Sequence, residues 1–294
     1  MILLAATGAL PLVAAPPAVD SSAETSIGEK SLESDYQAAR DLLKANEGEE
    51  SLRTGFQMML AAAEKGHLQA IAGVAYLYNV GMGTPKDNAA SAKWFRLAAD
   101  KGHSISQYNL GKLLVADEIP LPEGTADRKA QHEEGVEWIR KAADQGLPDA
   151  QTAYGVILFR GDYDIKLDPA AAAGYLQPAA KFGNPEAMNA LGLMHQSGNG
   201  VTYDPSSSER LFRQAAMSGH VKAQANLGEH LDPLSRNPGQ GIEALAWLYI
   251  AEEAGDPVAK KLVALKLQAI SPDDADAARK KAAEIKRKIR EFKK

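Results

Sequence analysis

KWFRLAADKG (residues 93–102) closes on two alanines, two charged residues and a glycine, and variants of that ending recur along the chain. The recurring glycines are Gly66, Gly102, Gly146, Gly183, Gly219 and Gly255, separated by 36, 44, 37, 36 and 36 residues. Each follows a small-residue step: Ala62-Ala63, Ala98-Ala99, Ala142-Ala143, Ala179-Ala180, Ala215-Ala216 and Ala251-Glu252. Self-similarity at such a period is the mark of stacked supersecondary units, each too small to bury its apolar face alone. One continuous array therefore overrides the two-domain count that 294 residues would suggest.

Within a unit, eight residues before the glycine, stand Met58, Trp94, Trp138, Tyr175, Leu211 and Trp247. Large apolar side chains at one register read as core knobs on the second helix of a helix pair. In residues 93–102, Trp94, Leu97 and Ala98 share a helical face and read as inward-pointing. The glycine ends that helix because it takes the left-handed conformation without a steric penalty. Nine residues after it stand Ala75, Gly111, Gly155, Gly192, Gly228 and Ala264, mid-way along the next unit's first helix. Glycine there costs about 1 kcal/mol against alanine, so a close approach of a neighbouring helix is expected to offset it. Asp87, Asp168 and Asp204, the last two followed by proline, read as N-caps of the second helices. VGMGTPKD (80–87) and SGNGVTYD (197–204) read as the turns between paired helices.

An Ala-Ala-x-x-Gly-x-x-x-Ala step, a Leu-Gly, a Gly-x-Gly turn ending in Asp, an aromatic and another Ala-Ala together resemble the Sel1-like repeat, a relative of the tetratricopeptide repeat. The resemblance runs over about residues 34–270 and is clearest in 66–102 and 183–219. It implies an all-α, right-handed solenoid of about fourteen helices with capping helices at both ends, the first helices lining a concave face. It also implies a non-catalytic adaptor or regulator that binds a protein or peptide on that face. By repeat register, the residues expected to be exposed there are Gln107, Tyr108, Lys112, Gln151, Asn189, Gln224 and Glu229.

The array departs from its pattern in two loops. VADEIPLPEGTADRKAQH (115–132) lengthens one unit by eight residues, and DPLSRNPGQG (232–241) lacks the turn glycines and capping aspartate. The longer loop is open to two readings: a partner contact or a surface insertion tolerated at little thermodynamic cost. At the N-terminus, residues 1–19 are apolar, small and proline-interrupted, and read as an export signal although no Lys or Arg precedes the apolar run. Residues 20–33 read as a polar, disordered leader. An export signal implies a periplasmic or secreted protein; without one the expectation is cytoplasmic. Weaker helical patterns near 34–46 and 50–65 read as a degenerate opening unit.

At the other end, Ser271-Pro272 starts a helix whose Ala275, Ala278, Ala282, Ile285, Ile289 and Phe292 form one apolar stripe. Residues 279–294 carry nine Lys or Arg against two Glu. Two readings stay open, a capping helix on the last repeat or a basic tail for an anionic membrane surface or acidic partner.

Chemistry is hard to find in this sequence. There is no cysteine, so disulfides, thiolate metal sites and a cysteine nucleophile are excluded. The net charge of −5 argues against nucleic acid as a partner of the whole body. His67, His103 and His220 each follow a repeat glycine, which points to a role in the turn rather than in catalysis, and no histidine pair has metal-ligand spacing. No cofactor or metal is expected. Some Sel1-type proteins are associated with β-lactam hydrolysis, but no serine here has lysine three residues later. Binding of a cell-envelope protein is the leading reading. The alternatives are a scaffold for envelope or polysaccharide assembly that binds glycan or peptidoglycan, and a hydrolase.

Overall fold

The computed structural model describes residues 27–119, 127–231 and 237–292. Among the described residues there are fourteen α-helices and no strand. In chain order they are α1 (Ile27–Ala45), α2 (Glu49–Glu64), α3 (Leu68–Val80), α4 (Asn88–Asp100), α5 (Ser104–Val115), α6 (Arg128–Asp144) and α7 (Pro148–Arg160). There follow α8 (Pro169–Lys181), α9 (Pro185–Ser197), α10 (Pro205–Met217), α11 (Val221–Leu231), α12 (Pro238–Glu253), α13 (Pro257–Lys266) and α14 (Pro272–Phe292). They pack as the pairs α1–α2, α3–α4, α7–α8, α9–α10 and α11–α12, with α5 meeting α6 in the same manner. The chain divides into two compact units, Met1–Lys141 and Ala142–Lys294.

The expected export signal lies outside the described residues. The expected leader does so only in part, because α1 begins at Ile27 and residues 27–33 are helical rather than disordered. The opening pair is more regular than the sequence suggests. Gly55 of α2 sits against Ala39 and Leu43 of α1, the same kind of crossing found in later units.

Local chemistry sets the ends of the helices. All six recurring glycines hold φ between 84° and 101°, the left-handed region that favours glycine. The residue after each glycine caps the next helix where it has an acceptor. His67, His103 and His220 accept through Nδ1 from the backbone N–H of Ala70, Ser106 and Ala223, at 3.1, 3.2 and 3.1 Å. Asn184 and Asp256 use their side-chain oxygens for the same purpose. Asp87, Asp168 and Asp204 cap α4, α8 and α10, as their spacing suggests. The histidines are thus structural members of the turn.

Each pair closes at a crossing of two small residues. The first helix offers Ala75, Gly111, Gly155, Gly192 or Gly228. The second helix offers Ser91, Gly135, Ala172, Ser208 or Ala244, eleven residues before the repeat glycine, a register not singled out from the sequence. Four residues further along the second helix comes the large buried side chain: Phe95, Ile139, Leu176, Phe212 or Leu248. A Cβ on Gly192 would stand 2.5 Å from the Phe212 ring, and one on Gly111 would stand 2.6 Å from the Gly135 carbonyl oxygen. Close helix approach therefore accounts for glycine in mid-helix. In the first pair of this series the Ser91 hydroxyl donates to the Ala75 carbonyl at 2.7 Å, which ties the crossing together.

The dominant core position is thus one residue later than the large-residue register suggests. Trp94, Tyr175 and Met58 are half-buried, Trp138 and Leu211 are buried at the rim, and Trp247 is fully buried. Leu97, expected to point inward, is 50% exposed. A helix advances about 100° per residue, so of the neighbours Trp94 and Phe95 only one can point along the axis of the crossing, and Phe95 does.

α14 lies on α12 and reaches α10. Its Ala282, Ile285 and Ile289 join Trp247 and Ile250 in one cluster, and Ala278 joins Ala251 and Val263 in another. Lys286 pairs with Glu253 of α12 at 2.6 Å, and Arg279 lies over the Tyr249 ring. Ala275, Ala278, Ala282, Ile285 and Ile289 of the α14 apolar stripe are buried, while most of the described cations remain outward. Among the described residues no helix is long and apolar enough to cross a membrane.

Candidate interaction surface

First helices turn one stripe away from their partners, at positions three, six to seven, ten, and thirteen to fourteen after the repeat glycine. In the unit Ala142–Lys294, α7, α9 and α11 bring these positions together in a shallow groove. Val156 and Phe159 of α7 and Leu193 of α9 supply half-buried apolar surface. Arg160 of α7 and Lys222 of α11 are exposed at its edges, and Glu186 of α9 is half-buried between them in sequence order. Arg160 and Lys222 form no ion pair among the described residues. The groove encloses only about 20 Å³, whereas small-molecule sites run to about 300 Å³ or more. It can take a side chain or the flank of a peptide, not a buried substrate.

Two of the polar side chains beneath the groove pair with each other. The Asn226 amide donates to Asn189 Oδ1 at 2.7 Å, which links α11 to α9. His220 holds its ring at the edge of the groove while Nδ1 caps α11. Burial, followed by the nearby Lys222 charge, lowers its pKa from the ordinary value to about 4, so the ring is neutral and able to accept. Burial lowers the pKa of His103 as well.

The seven residues expected on this face divide. Gln107 and Gln224 are buried, and their amides donate to the carbonyls of Ala99 and Ala216 at 3.1 and 3.2 Å, ending the preceding helices. Asn189 is buried by the Asn226 contact yet borders the groove. These three are packing residues, a correction to their expected exposure. Gln151 is half-buried and Glu229 exposed. In the other unit Tyr108 and Lys112 are half-buried and paired, with Lys112 Nζ 5.3 Å from the Tyr108 ring centre. Arg160, Lys222 and Leu193 were missed. A stripe two residues out of phase with the glutamines, read at spacings of three and four, carries them.

The unit Met1–Lys141 has its own open hollow of about 700 Å³ on the α3–α4 turn, lined by Tyr78, Pro85, Asp87, Asn88 and Glu118. Asn88 donates to Glu118 Oε2 at 3.0 Å across it. The long loop is anchored at its described ends, where Asp117 meets His132 at 2.8 Å and Arg128 at 3.2 Å. Among the described residues, no three histidine or carboxylate side chains converge to hold a metal.

The chain is 27% identical over 218 residues to the chitin synthase regulator SKT5 of Saccharomyces cerevisiae, covering 71% of this chain and 30% of that protein. It is 28% identical over 181 residues to an exopolysaccharide production negative regulator of Rhizobium leguminosarum bv. viciae, covering 58% of this chain and 64% of that protein. The chain thus spans less than two thirds of the length of either relative. A solved Sel1 repeat protein from Oxalobacter formigenes superposes with a TM-score of 0.68 at 22% identity, covering 85% of this chain and 96% of that one, which establishes the shared helical solenoid fold. The Sel1 repeat family matches residues 68–103, 104–147, 148–184, 185–220 and 221–256 without a gap, so the chain belongs to the Sel1 repeat family.

Proposed function

We propose that this chain is a non-catalytic adaptor that holds a segment of a partner protein against the first-helix groove of α7, α9 and α11, in the control of polysaccharide synthesis at the cell envelope. The observation that carries the reading is the groove itself. It joins half-buried Val156, Phe159 and Leu193 to the exposed cations Arg160 and Lys222 on a recurring register, with too little volume for a small substrate. A half-buried apolar and aromatic centre with a polar rim is the composition of a protein contact. Two relatives named as regulators of chitin synthase and of exopolysaccharide production support a partner in polysaccharide synthesis.

The test is affinity capture from native cells after cross-linking, with the wild-type chain beside an Arg160→Glu/Lys222→Glu/Leu193→Asp variant. A partner enriched by the wild type and lost by the folded variant is the expected result. Equal recovery with both would remove the groove from the proposal. A hydrolytic activity in the purified chain, abolished by one substitution, would replace the adaptor reading altogether.

A further inference from the structure

α13 stands in the place of a first helix whose second helix is absent. Asp256 caps it through the N–H groups of Val258 and Ala259, at 2.9 and 2.8 Å. Ala259 and Val263 are buried, as the residues four and eight after the glycine generally are in the other first helices. The next helix in the chain, α14, packs on α12 instead of pairing with α13. The surface that each complete pair closes is therefore open.

Register makes the opening specific. Nine residues after the glycine, the five equivalents from Ala75 to Gly228 are all buried at the crossing, whereas Ala264 is exposed. Twelve residues after it, Leu114, Leu158 and Leu231 are buried, whereas Leu267 is 39% exposed. Leu265, ten residues after the glycine, is 63% exposed on the neighbouring stripe, which turns away from the pair. Ala264 and Leu267, three residues apart on the helix, share the face that the other pairs close.

We propose that this face of α13 docks one helix of another protein, and that the docked helix completes the pair. The complete pairs specify its pattern: a small residue to meet Ala264, a large apolar residue four positions later, and acidic residues at its flank. The acid follows from Lys260 and Lys261, which are exposed on α13 and form no ion pair among the described residues. The same lysines disfavour α13 of a second copy, which would bring like charges together. This surface is separate from the groove and does not depend on it.

The probe is a labelled synthetic helix built on residues 205–217, which carry Ser208 and Phe212 at the required spacing, with glutamates added at its ends. Its fluorescence anisotropy is followed against the full chain. Saturable binding is expected, at least tenfold tighter than for a scrambled peptide of the same composition. Ala264→Trp and Leu267→Asp, both at exposed sites and both checked for an unchanged melting curve, should each weaken it at least tenfold. Equal binding of the scrambled peptide, or full affinity in Ala264→Trp, overturns the proposal. So does a dimer of the free chain in sedimentation that Leu267→Asp abolishes, since the occupant is then a second copy.

Discussion

Trp94 on α4 and Trp247 on α12 hold the same register in their repeats, yet Trp94 is half-buried and Trp247 is 1% exposed. The difference comes from α14, a helix outside the repeat, whose Ala282, Ile285 and Ile289 cluster with Trp247. Both halves of the comparison obey the same backbone rule. The repeat fixes where a side chain points, and whatever lies on top fixes how much water it loses.

The strongest way to break that contrast is to lift the cap. Ile285→Asp places a carboxylate in the apolar cluster and removes the isoleucine, a loss of about 5 kcal/mol; a red shift in tryptophan emission is its readout. Truncating the side chains themselves sharpens the contrast. Trp247→Ala should cost about 4 kcal/mol and Trp94→Ala about half that, by denaturant melts; equal losses would contradict the role given to α14.

Acid should act unevenly along the same array. His220 has a folded pKa of about 4, below its unfolded value near 6.5, so the neutral ring is the form that folding favours. Its stabilisation is complete above pH 6.5 and is lost as the pH falls towards 4, amounting to about 2–3 kcal/mol. His220→Asn keeps a capping oxygen, as Asn184 does in the preceding unit, and should flatten this part of the pH–stability curve. The smallest contrast separates two kinds of glycine. Gly192→Ala drives a methyl into Phe212 and should cost about 2 kcal/mol. Gly183→Ala meets nothing within 4 Å and should lose only the left-handed preference, about 1 kcal/mol.

Much of the fold was legible because its signals are periodic and local. A glycine at a fixed interval, an aspartate before a proline and an apolar stripe at spacings of three and four each follow from backbone sterics or helix geometry alone. The phase within a turn was harder to read. Alignment on the largest residue selected Trp94 over Phe95 and turned Leu97 inward, because residue size does not reveal the direction from which the partner helix arrives. The same error moved Gln107 and Gln224 onto the binding face, where a long amide looks like a surface group. In the structure each spans back to a carbonyl at the end of the preceding helix. The groove's Arg160 and Lys222 stood on the neighbouring stripe. Their neighbourhood is set by three helices from three repeats, a relation that no single repeat contains.

The crossings also have a kinetic consequence. Gly192 and Phe212 are 20 residues apart in sequence, as are Gly228 and Leu248, while Gly111 and Ile139 are 28 apart. Contacts this local belong to folds that form in microseconds to milliseconds. Closing the longer loop adds about 0.3 kcal/mol of chain entropy, so the α5–α6 pair should be the last of these joints to nucleate on refolding.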